Sequence, residues 1–434
     1  MAPFCKFSLE LKPSEGLGFI ELGRSLYQIF SLLRKHGMHN DIRFIYANDS
    51  KTTILQLTKL NINLVFDACS HVLLLIEINQ VGSYGVEYKY KGECMSSFHF
   101  KHIYNKIFGP TYPGTKDELS KSYRLSYPGI AFLFNIEGVA LNQGSDDLIR
   151  TLNNSKDDIN CFSITIFKGD SWHEGAQKIR DVIGDTNMTN KIRYLSDLFP
   201  SSNVPQNSMG YALIDLHARP SVSIPEYSEI ALVIGVSTMQ EVTSKLGPPD
   251  DTLLKHREIT SYGSKTIKIY KIHNYFRYGL DLIYVLDETR NGSSILAKIT
   301  IHCNVENSLE FLKYEKLNFK IESLISTETV YSHQSFDEIQ QLLPRELENK
   351  FVFLNRKEYE INSFSINSDN AFEVIDYEDN FDSSTSVEDE STSSANAEEN
   401  EEYKNWGLTK LFGYGRCLFE ILIDGNRISS ITIV

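Results

Sequence analysis

Two segments decide the fold: IGVSTMQEVTSKLGPP at residues 234–249 and NYFRYGLDL at residues 274–282. Thr238 can cap the start of a helix, and Glu241 three residues later completes the sequence pattern of a capping box. Gly247 supplies a left-handed residue at the end of this helix, and the two prolines that follow cannot extend it. Apolar residues alternate in the second segment, which predicts a strand. The stretch therefore predicts one helix followed by antiparallel strands.

Three other parts of the chain resemble diverged copies of this plan, each with an apolar helical stripe followed by alternating apolar residues. The four stripes are Leu22, Leu26, Ile29, Phe30 and Leu33; Phe100, Ile103, Ile107 and Phe108; Met239, Val242 and Leu246; and Phe336, Ile339, Leu342 and Leu343. Each stripe needs a sheet face to cover it, since a hairpin alone is marginally stable. The sequence therefore predicts an α+β fold of tandem units, each with one helix packed on a small antiparallel sheet.

The spacing of these copies predicts the domain organisation. We expect an N-terminal pair of units at residues 1–140 and a C-terminal pair at residues 229–434. Residues 141–228 lack the pattern and predict an irregular bridging region with extra strands, of which residues 161–167 are the clearest. Residues 185–210 are rich in Asn and Ser, which predicts a long loop.

An acidic stretch interrupts the fourth unit at about residues 376–404. Twelve Asp and Glu residues and no Lys or Arg lie between residues 373 and 402, and low hydrophobicity with like charge predicts disorder. One interpretation is a regulatory or partner-docking loop, phosphorylated at Ser386, which Asp389 follows three residues later. The other is a solvated insertion, which is the commoner role of such blocks.

The composition argues against several classes of protein. The formal net charge of −14 and the absence of a basic stripe argue against nucleic-acid binding. The N-terminus lacks a signal-peptide pattern, and the longest apolar runs are too short to span a bilayer. Six cysteines without a Cys-x-x-Cys pair predict reduced, mostly buried thiols.

Charged side chains offer few candidate sites. His99 and His102 lie three residues apart on a predicted helix, but helix-surface histidines are the commoner explanation of such a pair. His173 and Glu174 have no further ligand at helical spacing. Asp67 could be tested as an acid, although hydrogen bonding within a turn explains it better.

Asp281 is a second carboxylate beside a predicted strand that could be tested as an acid.

Two basic groups, at residues 34–36 and 265–271, could meet a phosphoinositide headgroup with weak affinity. In the second group a strand would split Lys265, Lys268 and Lys271 between its two faces. With no catalytic or phosphate-binding motif in the chain, we assign no catalytic, metal-binding or cofactor-binding residues and expect no cofactor.

Four paired segments occur in order along the chain. They are residues 61–68 with 75–78, 108–114 with 127–132, 236–248 with 274–281, and 412–420 with 428–432. Together they resemble the phagosome assembly factor 1 family of eukaryotes. The match spans nearly the whole chain, apart from residues 140–228 and the acidic insertion.

The resemblance implies a non-enzymatic adaptor or regulatory factor in autophagy. Members are understood to pair with a WD40 β-propeller protein of the breast carcinoma-amplified sequence 3 type. The complex is expected in the cytoplasm and at the phagophore assembly site, on phosphoinositide membranes that the propeller reads. A link to Golgi-derived vesicle traffic is also implied, and no catalytic residue is carried over.

Two other functions stay open beside the adaptor. One is a lipid- or small-molecule-binding module in Golgi-derived trafficking, with a pocket between helix and sheet. The other is an enzyme whose active site follows no known motif. For the fold, a helix that ends in Leu-Gly-Pro before a meander resembles the arrangement of the β-lactamase-inhibitor protein, and that likeness implies no function.

Overall fold

Two units make up the chain in the computed structural model, Met1–Met209 and Gly210–Val434. Both combine helices with largely antiparallel sheets, so the predicted α+β class is confirmed. The structure describes residues 8–434 apart from 47–50, 83–85, 112–113, 138–147, 156–157, 186, 201–209, 218, 225–226, 262–263, 287–293, 322–328, 343–350, 356–407 and 424.

The first unit begins with a small sheet and ends with a helical hairpin. Its elements are β1 (Ser8–Lys12), β2 (Gly16–Leu17), β3 (Ile20–Glu21), α1 (Leu26–Lys35), β4 (Ile42–Tyr46), β5 (Thr52–Leu57), β6 (Ile62–Asp67), β7 (Leu73–Asn79), β8 (Glu87–Tyr90), β9 (Glu93–Cys94), α2 (Phe100–His102), β10 (Thr115–Asp117), β11 (Ser122–Tyr127), β12 (Ile130–Asn135), α3 (Leu148–Asn154), β13 (Cys161–Ile166), α4 (Trp172–Gly184) and α5 (Met188–Leu198). Helix α2 continues as a π-helical turn over Ile103–Ile107.

The second unit has the same order of small sheet, helix and meander. Its elements are β14 (Ala212–Asp215), β15 (Ser221–Ile224), β16 (Tyr227–Val233), α6 (Met239–Leu246), β17 (Asp251–Ser261), β18 (Ser264–Tyr275), β19 (Leu280–Leu286), β20 (Ser294–His302), β21 (Phe319–Ile321), β22 (Val330–Tyr331), α7 (Phe336–Leu342), β23 (Phe351–Asn355), β24 (Leu408–Tyr414), β25 (Cys417–Leu422) and β26 (Ile428–Ile433).

The two units share one sheet topology. The eight-stranded sheets have the orders β10-β11-β12-β13-β7-β6-β5-β4 and β17-β18-β19-β20-β26-β25-β24-β23. Each sheet therefore consists of two four-stranded antiparallel meanders, joined through their last strands. The five-stranded sheets, β3-β2-β1-β8-β9 and β16-β15-β14-β21-β22, each contain a parallel pair, β1 with β8 and β14 with β21. A helix precedes each meander, namely α1, α2, α6 or α7.

The described residues of the apolar helix stripes are buried or half-buried in the cores of the two units, and Leu343 lies outside the described residues. The Phe100 ring meets Tyr123 and Phe134 at centroid distances of 6.3 and 5.3 Å. In the second unit the Phe336 ring lies 5.7 Å from that of Phe419. Burial of one such side chain contributes about 1.5–3 kcal/mol, so the stripes hold each helix on its sheet.

The two decisive segments meet at the end of α6. The capping box is present, since the Thr238 hydroxyl accepts from the Glu241 N–H and the Glu241 carboxylate from the Thr238 N–H. At the other end Arg277 donates to the carbonyl oxygens of Leu246 at 3.1 Å and Pro248 at 2.7 Å. A cationic donor satisfies the carbonyl groups that a helix leaves unpaired at its C-terminus.

A tyrosine–glycine hydrogen bond recurs in both units. The Tyr275 hydroxyl donates to the Gly247 carbonyl oxygen at 3.2 Å, and Tyr127 donates to that of Gly109 at 2.7 Å. Each tyrosine ends the second strand of its meander, and each glycine follows the preceding helical segment. The carbonyl oxygens of Gly109 and Gly247 therefore accept the hydrogen bonds that fix the helix ends to their sheets.

Gly279 is required by its backbone. Its φ is +70°, and a Cβ atom there would collide with the backbone oxygen of Glu315. Since left-handed conformations favour glycine and no side chain fits, the NYFRYGLDL turn needs this residue.

Three sequence predictions need correction or further comment. Residues 185–210 were predicted as a loop, but α5 lies there, because Asn187 caps a helix through the Thr189 N–H. Residues 141–228, predicted as a bridge, are shared between the units: β13 completes the first eight-stranded sheet, and β14 to β16 start the second unit's small sheet. The acidic stretch at 376–404 lies outside the described residues, and the likeness to the β-lactamase-inhibitor protein stays a prediction.

Replacing the N-cap of α6 tests the capping box. We expect Thr238→Ala to lower the free energy of unfolding by about 1 kcal/mol, because the Glu241 N–H loses its acceptor. Thr238→Asn keeps an acceptor and serves as the control. Urea unfolding curves measure both, and equal stability of Thr238→Ala and the wild type would contradict the role of the cap.

Candidate functional site

A buried histidine lies between two carboxylates in the second unit. His302, at the end of β20, places Nε2 2.9 Å from Asp281 Oδ2 and Nδ1 2.8 Å from Glu310 Oε2. The Tyr314 ring stacks on the imidazole at 3.7 Å, and Tyr314 and Asn274 also reach Asp281. We call Asn274, Asp281, His302, Glu310 and Tyr314 the His302 cluster.

The cluster favours a positively charged imidazole. Burial disfavours the charge, but the carboxylates of Glu310 and Asp281 outweigh it and raise the pKa of His302 to about 10. Burial, and then the Asp281 carboxylate, raise the pKa of the Tyr314 phenol, so this group stays a hydrogen donor. His302 therefore links two carboxylates as an imidazolium ion.

This geometry has specific chemical consequences. In a catalytic Asp–His pair, the imidazole nitrogen that does not contact the aspartate faces a nucleophile. In His302 the corresponding nitrogen, Nδ1, contacts Glu310 instead. The two carboxylates contact opposite nitrogens of the ring and do not converge on one point. In the part of the chain that the structure describes, no group of three His, Cys, Asp or Glu residues is arranged to hold a metal ion. The arrangement works as a cross-link between β19, β20 and the loop at residues 303–318.

A second buried histidine, His273, lacks hydrogen-bond partners of this kind among the described residues. His273 in β18 is 3% exposed, and neither ring nitrogen has a hydrogen-bond partner among the described residues. The hydroxyl of the buried Tyr284 is also unpartnered there, and the two rings lie 5.1 Å apart. Burial, and then the Lys271 charge, lower the pKa of His273 to about 4, so the ring is neutral at physiological pH. An unsatisfied buried polar group costs about 1–3 kcal/mol.

The first unit contains a buried ion pair. Lys191 of α5 donates to Asp67 Oδ1 at 2.6 Å and to the Val182 carbonyl oxygen of α4 at 2.7 Å. The Ser70 N–H and hydroxyl both donate to Asp67 Oδ2 at 2.7 Å. The hydrogen bonding within the turn that the sequence predicted for Asp67 is confirmed. Lys191 forms an ion pair with the same carboxylate and so links it to the helical hairpin of α4 and α5.

The other histidine candidates have local structural roles. His99 occupies the N-cap position of α2, and its Nδ1 lies 2.7 Å from the Ser97 hydroxyl. His102 is the last residue of α2, and His173 lies in the first turn of α4. Glu174 beside it pairs with Lys178 at 2.6 Å. The structure does not bring these residues together as a site.

The basic candidates are dispersed. Residues 34–36 lie at the C-terminus of α1, where positive charge is favourable, and the His36 ring stacks on Phe19 at 3.9 Å. Lys265, Lys268 and Lys271 all lie in β18. The side chains of Lys265 and Lys268 are outside the described part of the structure, so their division between two faces stays a prediction.

A shallow hollow lies between the end of α1 and the β5–β6 turn. Its volume is about 130 Å³ and it is open to solvent; its lining consists of Gly37, Met38, Asp41, Leu57, Lys59 and Leu60. Of the helices that the structure describes, none is both long and apolar enough to cross a membrane.

Sequence reasoning singled out Asp67 and Asp281 but missed their partners. Lys191 lies in the region predicted as a loop, and Tyr314 and Glu310 lie in the long β20–β21 connection. His302 had one signal, a titratable residue within the apolar run of residues 299–303. Neither lysine nor tyrosine carries a local pattern that predicts contact with a carboxylate far away in the sequence.

The family model described as phagosome assembly factor 1 matches residues 16–434, a span that includes all four helix-plus-meander segments. The chain belongs to the phagosome assembly factor 1 family. The family's name connects it with phagosome assembly, which is consistent with an autophagy-related role, and suggests a non-enzymatic factor.

Two curated relatives of this family support the assignment. A PHAF1 protein of Arabidopsis thaliana is 24% identical over 334 residues, which cover 72% of this chain and 74% of the relative. A PHAF1 protein of Caenorhabditis elegans is 22% identical over 328 residues, 69% of this chain and 73% of the relative. No solved structure matches the chain.

Loss of the buried lysine should destabilise this family member strongly. We expect Lys191→Met to lower the free energy of unfolding of the first unit by about 3–5 kcal/mol, because Asp67 becomes an unpaired buried charge. Lys191→Met combined with Asp67→Leu should recover much of this loss. Lys59→Met, which breaks an exposed pair with Asp41, is the control and should hardly change stability. Urea unfolding measures all three, and a similar effect of both lysine variants would contradict the prediction.

The His302 cluster should make the stability of the second unit depend on pH. The folded pKa of about 10 lies above the ordinary 6.5, so the stabilisation is complete below pH 6.5. It is lost as the pH rises towards 10, with a slope of at most about 1.4 kcal/mol per pH unit. Hydrogen exchange of β19 and β20 amides, corrected for the intrinsic effect of pH on exchange rates, measures this decline.

His302→Gln should remove the slope, while His256→Gln, at an exposed histidine, should keep it. A slope that persists in His302→Gln would assign the pH dependence to other groups.

Proposed function

We propose that this protein is a non-enzymatic adaptor in autophagy that acts at the phagophore assembly site in complex with a WD40 β-propeller protein. The family match over residues 16–434 carries this proposal. The expected partner is of the breast carcinoma-amplified sequence 3 type, and the propeller reads the phosphoinositide membrane. In this scheme the protein is cytoplasmic until the complex recruits it.

The architecture supports an adaptor role. Each unit presents an eight-stranded sheet whose terminal strands and faces offer binding surface. The titratable cluster around His302 is committed to internal hydrogen bonds, which suits a structural part better than a reacting group.

The lipid contact belongs to the propeller in this proposal. Lys265, Lys268 and Lys271 all lie in the single strand β18, and residues 34–36 end one helix of the first unit. Two or three basic residues contribute about 1 kcal/mol each at an anionic membrane surface. Such groups would assist recruitment but would not select a phosphoinositide.

A lipid- or small-molecule-binding role in Golgi-derived trafficking is the second candidate. The hollow beside α1 is the observation that favours it, with Met38, Leu57 and Leu60 as its apolar lining. Ligand pockets usually enclose 300–1,000 Å³ and bury most of their ligand. A solvent-open hollow of about 130 Å³ is smaller than such a pocket, so we place this role after the adaptor.

Affinity purification from native cells tests the adaptor proposal. We expect the wild-type protein to recover a WD40 propeller protein together with autophagy factors. A variant that lacks residues 376–404 should recover the same proteins if the acidic stretch is a solvated insertion. Recovery by the wild type alone would make this stretch the docking element.

Sedimentation with phosphatidylinositol 3-phosphate vesicles completes the test. The protein should sediment with the vesicles only when the propeller protein is present. Failure of both forms to recover a propeller protein would contradict the adaptor proposal. Sedimentation of the protein alone would contradict the assignment of the lipid contact to the propeller.

A further inference from the structure

The first meanders of the two units correspond residue by residue around one turn. Four residues join β5 to β6, at 58–61, and four residues join β18 to β19, at 276–279. The third strand of each meander also shifts its register with the fourth strand at the same place, after the fourth residue of β6 and after the fourth residue of β19. These two features align the core positions of β5 and β6 with those of β18 and β19.

Two polar residues of the second core stand where the first core has apolar ones. His273 lies two residues before the end of β18 and corresponds to Leu55, which lies two residues before the end of β5. Tyr284 follows the register shift in β19, as Phe66 follows it in β6. All four side chains are buried. The fold accepts apolar side chains at both positions, so packing alone does not account for a histidine and a tyrosine there.

A positive charge on His273 would have no carboxylate to balance it among the described residues. The charge that acts on its ring is that of Lys271, on the same face of β18, and a like charge disfavours protonation. In β17 the residue opposite His273 is the neutral Thr252, and β19 adds Tyr284, whose hydroxyl has no partner in the described part of the chain. The carboxylates of the His302 cluster lie on the opposite face of the sheet.

The helix on this face of the sheet supplies no balancing charge either. Helix α6 lies over Tyr275, the next residue on the same face, whose hydroxyl donates to the carbonyl oxygen that follows the helix. The charged residues of α6, Glu241 and Lys245, are exposed, and the Glu241 carboxylate accepts the N–H of the N-cap residue. Asp250, directly before β17, is paired with Arg277. Each described carboxylate near this face is therefore exposed or has a partner of its own.

We propose that His273 is an acid sensor of the second unit, whose protonation opens the contact between α6 and β18. In its neutral form the imidazole packs in the core at the position that Leu55 occupies in the first unit. In its protonated form it becomes a buried cation beside Lys271, so a state in which the ring reaches water is favoured. This device goes beyond the adaptor function and does not depend on the propeller partner.

The direction of the pH dependence follows from the two protonation states of His273. Burial, and then the Lys271 charge, place the pKa of the folded state at about 4, below the ordinary 6.5. The stabilisation is therefore complete above pH 6.5 and is lost as the pH falls towards 4. From pH 7 to pH 5, His273 should raise the unfolding equilibrium constant of the second unit about twentyfold. Other groups titrate in this range as well, and variants that differ only at His273 remove their contribution.

Hydrogen exchange of β18 and β19 amides in the full-length protein, corrected for the intrinsic effect of pH, tests the proposal. His273→Leu copies the first unit, so it should lose the additional opening at pH 5 and be at least as stable as the wild type at pH 7. Tyr284→Phe copies the first unit at the second position and should keep the acid response, because a phenol does not change its charge in this range. His256→Gln, at an exposed histidine, is the matched control and should also keep it.

An imidazole titration tests the sensor without any core substitution. The NMR signals of the His273 ring in the folded protein should stay those of a neutral imidazole down to about pH 5, and a midpoint near the ordinary pKa would overturn the proposal. An equal acid response of the wild type and His273→Leu would also overturn it. Loss of the response in Tyr284→Phe would assign the effect to the packing of the two rings instead of the charge on the imidazole.

Discussion

The pairing of last strands is the constraint on which each unit depends. In the second unit β20 and β26 join two meanders, and the hydroxyls of Thr300 and Thr432 lie 3.0 Å apart although 132 residues separate them. In the first unit β7 and β13 make the equivalent join. Without it each meander would end in an open edge, and each helix would cover only half a sheet. Closing such long loops before any contact is gained makes this step costly in chain entropy.

Buried charges lie where distant segments must meet. Lys191 ties the helical hairpin of the first unit to Asp67, 124 residues earlier. His302 ties the loop at residues 303–318 to β19. Buried ion pairs contribute little net stability relative to apolar packing, but breaking one is costly. They therefore act against wrong pairings: a register in which either partner is displaced leaves an unpaired charge inside the protein.

The architecture relates to the proposed function through its surfaces. This member of the phagosome assembly factor 1 family consists largely of sheets, and the buried charges of Lys191 and His302 serve internal contacts. Interaction then has to use strand edges and exposed faces. The pairing of β17 with β18 covers eleven residue pairs, whereas that of the equivalent β4 with β5 covers five among the described residues. The two units share a topology and differ in the edge that they present.

The sequence by itself determined the local structure. Thr238 and Glu241 predicted the start of α6, and the Gly-Pro pairs predicted the ends of helical segments. The alternation of apolar residues predicted strands such as β6 and β19. Hydrogen bonds and backbone geometry within a few residues decide all of these features. Only the tertiary structure decided how the meanders join. It also decided that α5 forms in an Asn- and Ser-rich segment, and that Lys191, Glu310 and Tyr314 serve particular carboxylates. The physical reason is burial. The sequence around a lysine or tyrosine contains no pattern that indicates its partner. Only the packing of distant segments removes water from the pair, and the hydrogen bond between the two groups then becomes obligatory.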